Sequence, residues 1–264
     1  MEVNLYMMQY AVLSRPGERS LNEDFAKASS LDHKELEFYA LADGLGGHDC
    51  GEVASELAVT AAVNTFCEAA EGDVPDPAAL LSACFSNAQD AVLERQQKER
   101  SQSEMKTTLT LLLRSAGQIR WGHVGDSRVY YFRNGKLVRR TLDHSVPQML
   151  VLSGEIKETE IRFHEDRNRL LRVIGTPWDS PKYELSDTVK LESGMAFLLC
   201  SDGFWEWITE DQMVQLLQKA ESPEQWLSDM EEIVLKNGSG KGMDNYSAIA
   251  VMNGRSRKKL FGLF

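Results

Sequence analysis

"TTLTLLLRSAGQIRWGHVGDSRVYYFRNGKLVRR", residues 107–140, decides the fold class of this chain. It is rich in β-branched and aromatic side chains, and the turn pairs Ala116-Gly117 and Asn134-Gly135 punctuate it. It reads as a meander of antiparallel strands. Upstream, "EFYALAD" (37–43) is a further strand. Between the two, "GEVASELAVTAAVNTFCEAA" (51–70) and "PAALLSACFSNAQDAVLERQQKER" (77–100) space their apolar residues by three and four, the first at Val53, Leu57, Ala61 and Cys67, which predicts two amphipathic helices. Downstream, "ELSDTVKL" (184–191) and "MAFLLCSD" (195–202) read as strands, "EDQMVQLLQKA" (210–220) and "PEQWLSDMEEIVLKN" (223–237) as helices, and "NYSAIAVM" (245–252) as a closing strand. No internal repeat is visible. Residues 143–182 break the rhythm with "DHSVPQMLVLSGEI" and the charged "KETEIRFHEDRNRLL". An insertion of this length beside a site serves as a lid or specificity element, or is an ordinary surface excursion.

Composition narrows the function classes. At 264 residues with 42% apolar content, one well-cored domain is expected over 1–253, followed by a tail at 254–264. A net charge of -11 argues against a nucleic-acid binder that relies on phosphate neutralisation and suits a protein that gathers carboxylates around cations. Cys50, Cys67, Cys84 and Cys200 form no C-x-x-C pair, and "MEVNLYMMQYAVLSRPGERS" lacks the basic start and apolar core of a signal peptide, so a reducing, cytoplasmic setting is expected. No apolar run approaches the roughly 18 residues that a membrane span needs.

The glycine-rich stretch "LADGLGGHDCGEVAS" (41–55) has three readings: a phosphate cradle, a turn or a metal loop. The dinucleotide fingerprint begun by Gly44 and Gly46 fails at Asp49, where a carboxylate would meet the pyrophosphate. Gly46 and Gly51 have P-loop spacing, but Glu52 and Val53 stand where that loop needs Lys and Ser or Thr. A turn and a metal loop remain. Asp43, Asp126 and Asp202 each sit at or just beyond the C-terminal end of an expected strand, whereas Asp244 precedes one. If the last strand runs antiparallel to the others, all four converge on one rim. Gathered carboxylates repel one another unless a cation neutralises them, and an all-oxygen set suits Mg²⁺ or Mn²⁺ better than zinc. Each aspartate taken singly is also an ordinary turn residue.

The series "GERSLNEDF", "ALADGLGGHDCGEVAS", "WGHVGDSRVYYFRNGKL", "LDHS", "LLCSDGFWE" and "DNYSAIAV" resembles, in order and spacing, the motifs of the PP2C (PPM) family of metal-dependent protein serine/threonine phosphatases in its bacterial form, from about Tyr10 to Met252. The resemblance implies an α+β fold, a four-layer α-β-β-α sandwich of two central antiparallel sheets flanked by helices. It implies that Asp43 bridges two metals, that the Gly44 carbonyl ligates one, and that Asp202 and Asp244 complete the other. Glu23 and Asp24 would act through metal-bound waters, Asp126 with Asp202 would hold a third, weaker ion, and Arg19 would grip the substrate phosphate. The implied reaction is hydrolysis of phosphoserine or phosphothreonine by a hydroxide bridging two Mn²⁺ or Mg²⁺ ions, with no covalent intermediate. Leu45 stands where eukaryotic members carry a histidine, so that candidate acid is missing; a metal-bound water is the expected proton donor, and His48 is expected at the helix start or behind the ligands.

Other histidines support no rival metalloenzyme: "HEDRN" at His164 lacks the second histidine of a zinc protease, His33 and His123 are scattered, and His144 is expected to fix the insertion against the core. The implied partners are phosphorylated proteins, among them a bacterial Ser/Thr kinase and its targets, with no nucleic acid and a monomeric chain. An idle relative that binds phosphorylated partners or acts as a scaffold is the alternative, as is a two-metal nuclease. The tail "GRSRKKLFGLF" (254–264) sets Arg255, Arg257, Lys258 and Lys259 beside Leu260, Phe261 and Phe264, a pattern that fits a frayed end or docking to a membrane surface or protein.

Overall fold

Continuous apolar runs, where an exposed strand would alternate, indicate strands covered on both faces. In the structure, a computed structural model, this is how they lie; it describes residues 8–31, 35–45, 50–71, 76–99 and 104–254. One sheet joins β1 (Gln9–Arg15), β12 (Tyr246–Met252), β11 (Met195–Cys200), β7 (Arg128–Arg133) and β8 (Lys136–Arg140) in that order. The other joins β10 (Val189–Lys190), β6 (Gln118–Val124), β5 (Leu109–Ser115), β3 (Leu36–Leu45) and β2 (Asp24–Leu31), with short β4 (Lys106–Thr107) on β3 and β9 (Glu184–Leu185) on β6. All pairings are antiparallel.

Side-chain alternation then assigns three cores. On β3, Phe38, Ala40 and Ala42 pack with helices α1 (Gly51–Ala69) and α2 (Pro77–Lys98), while Tyr39 and Leu41 face the other sheet. On β11 and β12, Leu198, Cys200, Ala248 and Ala250 meet α4 (Asp202–Trp205), α5 (Glu210–Lys219) and α6 (Pro223–Gly238), while Phe197, Leu199, Ile249 and Val251 fill the space between the sheets. The result is the expected four-layer α-β-β-α sandwich. The helices begin where their caps dictate: Asp76 accepts from the amides of Ala78 and Ala79 at 2.9 and 3.2 Å with Pro77 in the first turn, and Thr209 with Gln212 forms a capping box on α5.

Two expectations are corrected. The stretch 107–140 is not one meander: β5 and β6 pair in one sheet and β7 and β8 in the other, and the chain crosses between them at Gly125-Asp126-Ser127, with Gly125 at φ 100, a left-handed conformation that favours glycine. "ELSDTVKL" is not one strand either. Leu185 pairs with Gly122 and Val189 with Ile119, so four steps on one side oppose three on the other, and the extra residue interrupts the ladder as a bulge.

The insertion leaves β8 through α3 (Val146–Ser153), capped by Ser145 and ended by Gly154, and continues through a 3-10 turn at Glu158–Phe163. It is anchored, not loose. Arg162 donates to the carbonyls of Trp205 and Ile208 at 3.2 and 3.1 Å and to Glu210 at 2.9 and 3.0 Å. Beneath it the buried Arg128 donates to both oxygens of Asp143 at 2.8 and 2.7 Å and lies 3.4 Å over the Trp205 ring. Removing either partner of such a buried pair costs about 3–5 kcal/mol, because the other charge is left unpaired.

Candidate metal centre

Strand pairing alone brings the aspartates together. In the β2–β3 register Asp24 lies opposite Asp43. β11 and β12 run antiparallel, and the Ser201 amide donates to the Ser247 carbonyl at 3.0 Å, so Asp202, after one strand, and Asp244, before the other, share an end of the sheet. The two sheets are tied at this end: the Asp43 amide donates to Thr108 Oγ1 at 2.9 Å, Thr108 Oγ1 lies 2.7 Å from Ser127 Oγ, and the Trp205 indole donates to the Asp126 carbonyl at 3.0 Å. Asp24, Asp43, Asp126, Asp202 and Asp244 thus meet at one rim. The carboxyls of Asp43 and Asp202 share a hydrogen bond.

Burial and mutual repulsion dominate the electrostatics. Burial first, then Asp202 and Asp244, push the Asp24 carboxyl up to about 7 against the opposing hydrogen bonds from Ser201 and Ser247. Burial, then Asp24, Asp202 and Asp126, holds Asp43 well above the usual carboxylate range; burial, then Asp202 and Asp143, does the same to Asp126. Asp202 is raised by burial and by Asp244, and Glu23 by burial and Glu52. Buried Oδ1 atoms of Asp24 and Asp126 and Oε2 of Glu52 have no hydrogen-bond partner. Carboxylate oxygens left bare in this way, all hard donors, fit Mg²⁺ or Mn²⁺. Among the described residues no three of these carboxylates bring ligand atoms within 4.8 Å of one another.

The remaining expected residues lie around this rim. Arg19 donates to Asp244 Oδ2 at 2.8 Å, with its side chain 57% exposed and able to face an incoming anion. The Glu23 amide donates to Asn245 Oδ1 at 2.8 Å, and the Glu23 carbonyl accepts from Ser55 Oγ at 2.6 Å and from the Gly44 amide at 3.0 Å. Gly44 needs to be glycine because a Cβ there would stand 2.1 Å from the Gly51 carbonyl oxygen. His48, His33 and residues 255–264 lie outside the described residues.

Sequence reasoning passed over four contributors. Ser201 donates to Asp24 Oδ2 at 2.7 Å, and Asn245 also donates to the carbonyls of Pro16 and Leu21 at 2.9 and 2.8 Å, pinning the loop that carries Arg19 and Glu23. Glu52 faces Glu23. Glu206, one helical turn after Asp202, pairs with Arg167 at 3.0 Å and is pushed up to about 8 by burial, then by Asp202. Three of them flank the quoted aspartates directly or at helical spacing, the available signal.

A tight triad exists elsewhere: ligand atoms of His123, His144 and Glu184 lie within 4.8 Å of one another. Its protons oppose a metal. The Gly125 amide donates to His144 Nδ1 at 3.2 Å, so the neutral ring carries its hydrogen on Nε2, which faces Glu184 Oε1 at 3.2 Å. Arg172 already supplies the cation there, 3.0 Å from Glu184. The triad binds the 143–182 insertion to the core, as expected of His144.

A profile for Protein phosphatase 2C matches residues 14–245. The chain is 31% identical over 244 residues to the serine/threonine protein phosphatase PstP of Mycobacterium tuberculosis, covering 92% of this chain and 44% of PstP, so it spans less than half of that protein. It is 29% identical over 221 residues to the serine/threonine phosphatase stp of Listeria monocytogenes, covering 83% and 85% of the two chains. The crystal structure of the PstP catalytic domain with two manganese ions superposes with a TM-score of 0.78 at 29% identity, over 93% of this chain and 99% of that one. With the fold, the motif order and the aspartate rim in agreement, the chain belongs to the protein phosphatase 2C family.

Proposed function

We propose that the chain is a metal-dependent protein serine/threonine phosphatase, acting on phosphoserine and phosphothreonine of proteins that include a bacterial Ser/Thr kinase and its targets. The observation that carries this reading is the convergence of five aspartates on one rim beside an exposed arginine, with buried oxygens of Asp24 and Asp126 left without a hydrogen-bond partner. Asp43, the Gly44 carbonyl, Asp202 and Asp244 would hold two divalent cations, Asp126 with Asp202 a third, and Glu23 and Asp24 would order water around them. Such cations supply a nucleophilic water near neutral pH and offset charge on the phosphoryl group. The chain's own residues do the rest. The planar Arg19 guanidinium binds two phosphate oxygens and orients phosphorus for in-line attack. Ser201 and Asn245 hold Asp24 and the Arg19–Glu23 loop in place. With Leu45 in place of the eukaryotic histidine, water protonates the leaving serine or threonine oxygen. The intact carboxylate set speaks against an idle scaffold, and the acidic balance against a nuclease. The four free thiols support a cytoplasmic setting.

The test is phosphate release from p-nitrophenyl phosphate and a phosphothreonine peptide with and without Mn²⁺, beside cleavage of a plasmid. Mn²⁺-dependent release from both phosphate substrates with the plasmid intact is expected; no release with Mn²⁺ present overturns the reading.

A further inference from the structure

A cavity of about 510 Å³ lies between the 3-10 turn of the insertion and the α4–α5 junction. Phe163, Trp207 and Ile208 give it apolar walls, and Phe163 is 79% exposed. The polar groups at its base are engaged: Arg162 with Glu210, and Lys241 over the Trp207 ring at 5.4 Å. Asp211, at the groove's edge in the first turn of α5, forms no ion pair with a described residue. Glu206 belongs to both places: it lines the groove, and its amide donates to the Asp202 carbonyl at 2.9 Å. One helical turn, about 5.4 Å of rise, therefore separates the groove from the aspartate rim.

We propose that this groove receives the segment of the phosphoprotein substrate adjoining the phosphorylated residue, with a large apolar side chain seated against Phe163 and Trp207 and a basic side chain against Asp211. The inference rests on the phosphatase reading and adds a sequence preference to it. An extended substrate advances about 3.3 Å per residue, so a residue two to four positions from the phosphate reaches the groove while the phosphate is at the rim. The volume falls within the roughly 300–1,000 Å³ of pockets that enclose small-molecule ligands, room for a large side chain and its neighbour. Charge complementarity selects a basic neighbour at the Asp211 end of the groove, since Glu206 and Glu210 are paired with Arg167 and Arg162 while Asp211 has no ion pair among the described residues and the Lys241 ammonium is set apart over Trp207.

The experiment compares kcat/KM on phosphothreonine peptides carrying Leu or Asp, with Arg or Glu alongside, at two to four positions to either side of the phosphate. p-Nitrophenyl phosphate, which has no flanking residues, reports the state of the rim in every variant, and rates are taken relative to it. The unmodified chain is expected to prefer the Leu-Arg peptide by about tenfold, mostly in KM. Phe163→Ser is expected to abolish the Leu preference and Asp211→Lys to invert the Arg preference. Equal kcat/KM across the peptides, or a Leu preference that survives Phe163→Ser, overturns the inference while leaving the phosphatase reading intact. Self-association that disappears in Phe163→Ser assigns the groove to a second copy and also overturns it. No turnover of p-nitrophenyl phosphate by the unmodified chain overturns both readings.

Discussion

Among the described residues two clusters offer metal-binding side chains, and proximity and hydrogen-bond accounting rank them in opposite orders. The His123, His144 and Glu184 atoms are the closer-packed, yet the Gly125 amide, the Leu142 carbonyl and the Arg172 guanidinium already satisfy them. The aspartate rim is more widely spread, yet it has bare buried oxygens and carboxyls pushed toward neutrality by burial and by one another. A cation is called for where proton and hydrogen-bond accounting fails to close. Tight spacing alone does not require one.

The largest expected effect tests the rim at its centre. Asp43→Asn removes the proposed bridging carboxylate, so calorimetric titration with Mn²⁺ should lose its high-affinity phase, and phosphate release should fall by roughly 10³-fold or more. Metal-free stability should rise by on the order of 1 kcal/mol as one repelling buried carboxyl disappears. A variant that binds Mn²⁺ normally would remove Asp43 from the site.

The next effect is on stability against pH. Asp24, Asp43, Asp126 and Asp202 are all raised, so the folded metal-free chain binds protons more tightly than the unfolded chain. Their stabilisation is complete below the unfolded carboxylate value near ~4 and is lost as pH rises through the folded values, about 7 for Asp24. His144, lowered to about 4, has the opposite slope, but only below its unfolded value of about 6.5. In EDTA the melting temperature should therefore fall from pH 6.5 to pH 8, and Mn²⁺ should raise it most at pH 8. A melting temperature in EDTA that is flat or rising over that window would contradict the electrostatic picture.

How much of this was legible follows from where the information lies. Asp43, Asp126 and Asp202 could be read because Asp-Gly or Asp-Ser follows an apolar run, and Asp244 because its strand had to run the other way. The crossing at Gly125–Ser127 could not be read, because a glycine-rich step between two strands looks the same whether the next strand pairs with the last or enters the facing sheet. Burial of Asp24 was hidden in the polar run "LNEDF": besides the pairing with the next strand, it depends on Ser201, far along the chain. Glu52, on α1, and Glu206, just past the end of α4, look like solvated charges until the rim is placed beside them.

Asp126→Ala separates the proposed third ion from the tight pair. The variant should keep the high-affinity Mn²⁺ phase and the fold, and lose about a hundredfold in turnover at saturating Mn²⁺. If Asp126 only shapes the crossing between the sheets, the variant loses about 1 kcal/mol of stability and little rate. Near-normal turnover would support that simpler role, and loss of the tight phase would place Asp126 in the bridging pair.

The smallest effect belongs to the satisfied cluster. His144→Phe keeps a ring to stack on His123, whose centroid lies 4.4 Å away, but removes the acceptor of the Gly125 amide and the donor to Glu184. A buried amide left without a partner costs about 1–3 kcal/mol. At about 2–4 °C per kcal/mol for a chain of this size, the melting temperature should drop by several degrees. Gly125 adjoins Asp126, so a modest fall in turnover should accompany it. Zn²⁺ titration of the Mn²⁺-saturated protein decides whether the cluster is more than a fastening. No heat is expected from either form, because Arg172 fills the charge and the His144 Nδ1 lone pair is already used. A Zn²⁺ heat present in the parent and absent from His144→Phe would show that proximity was the better guide after all.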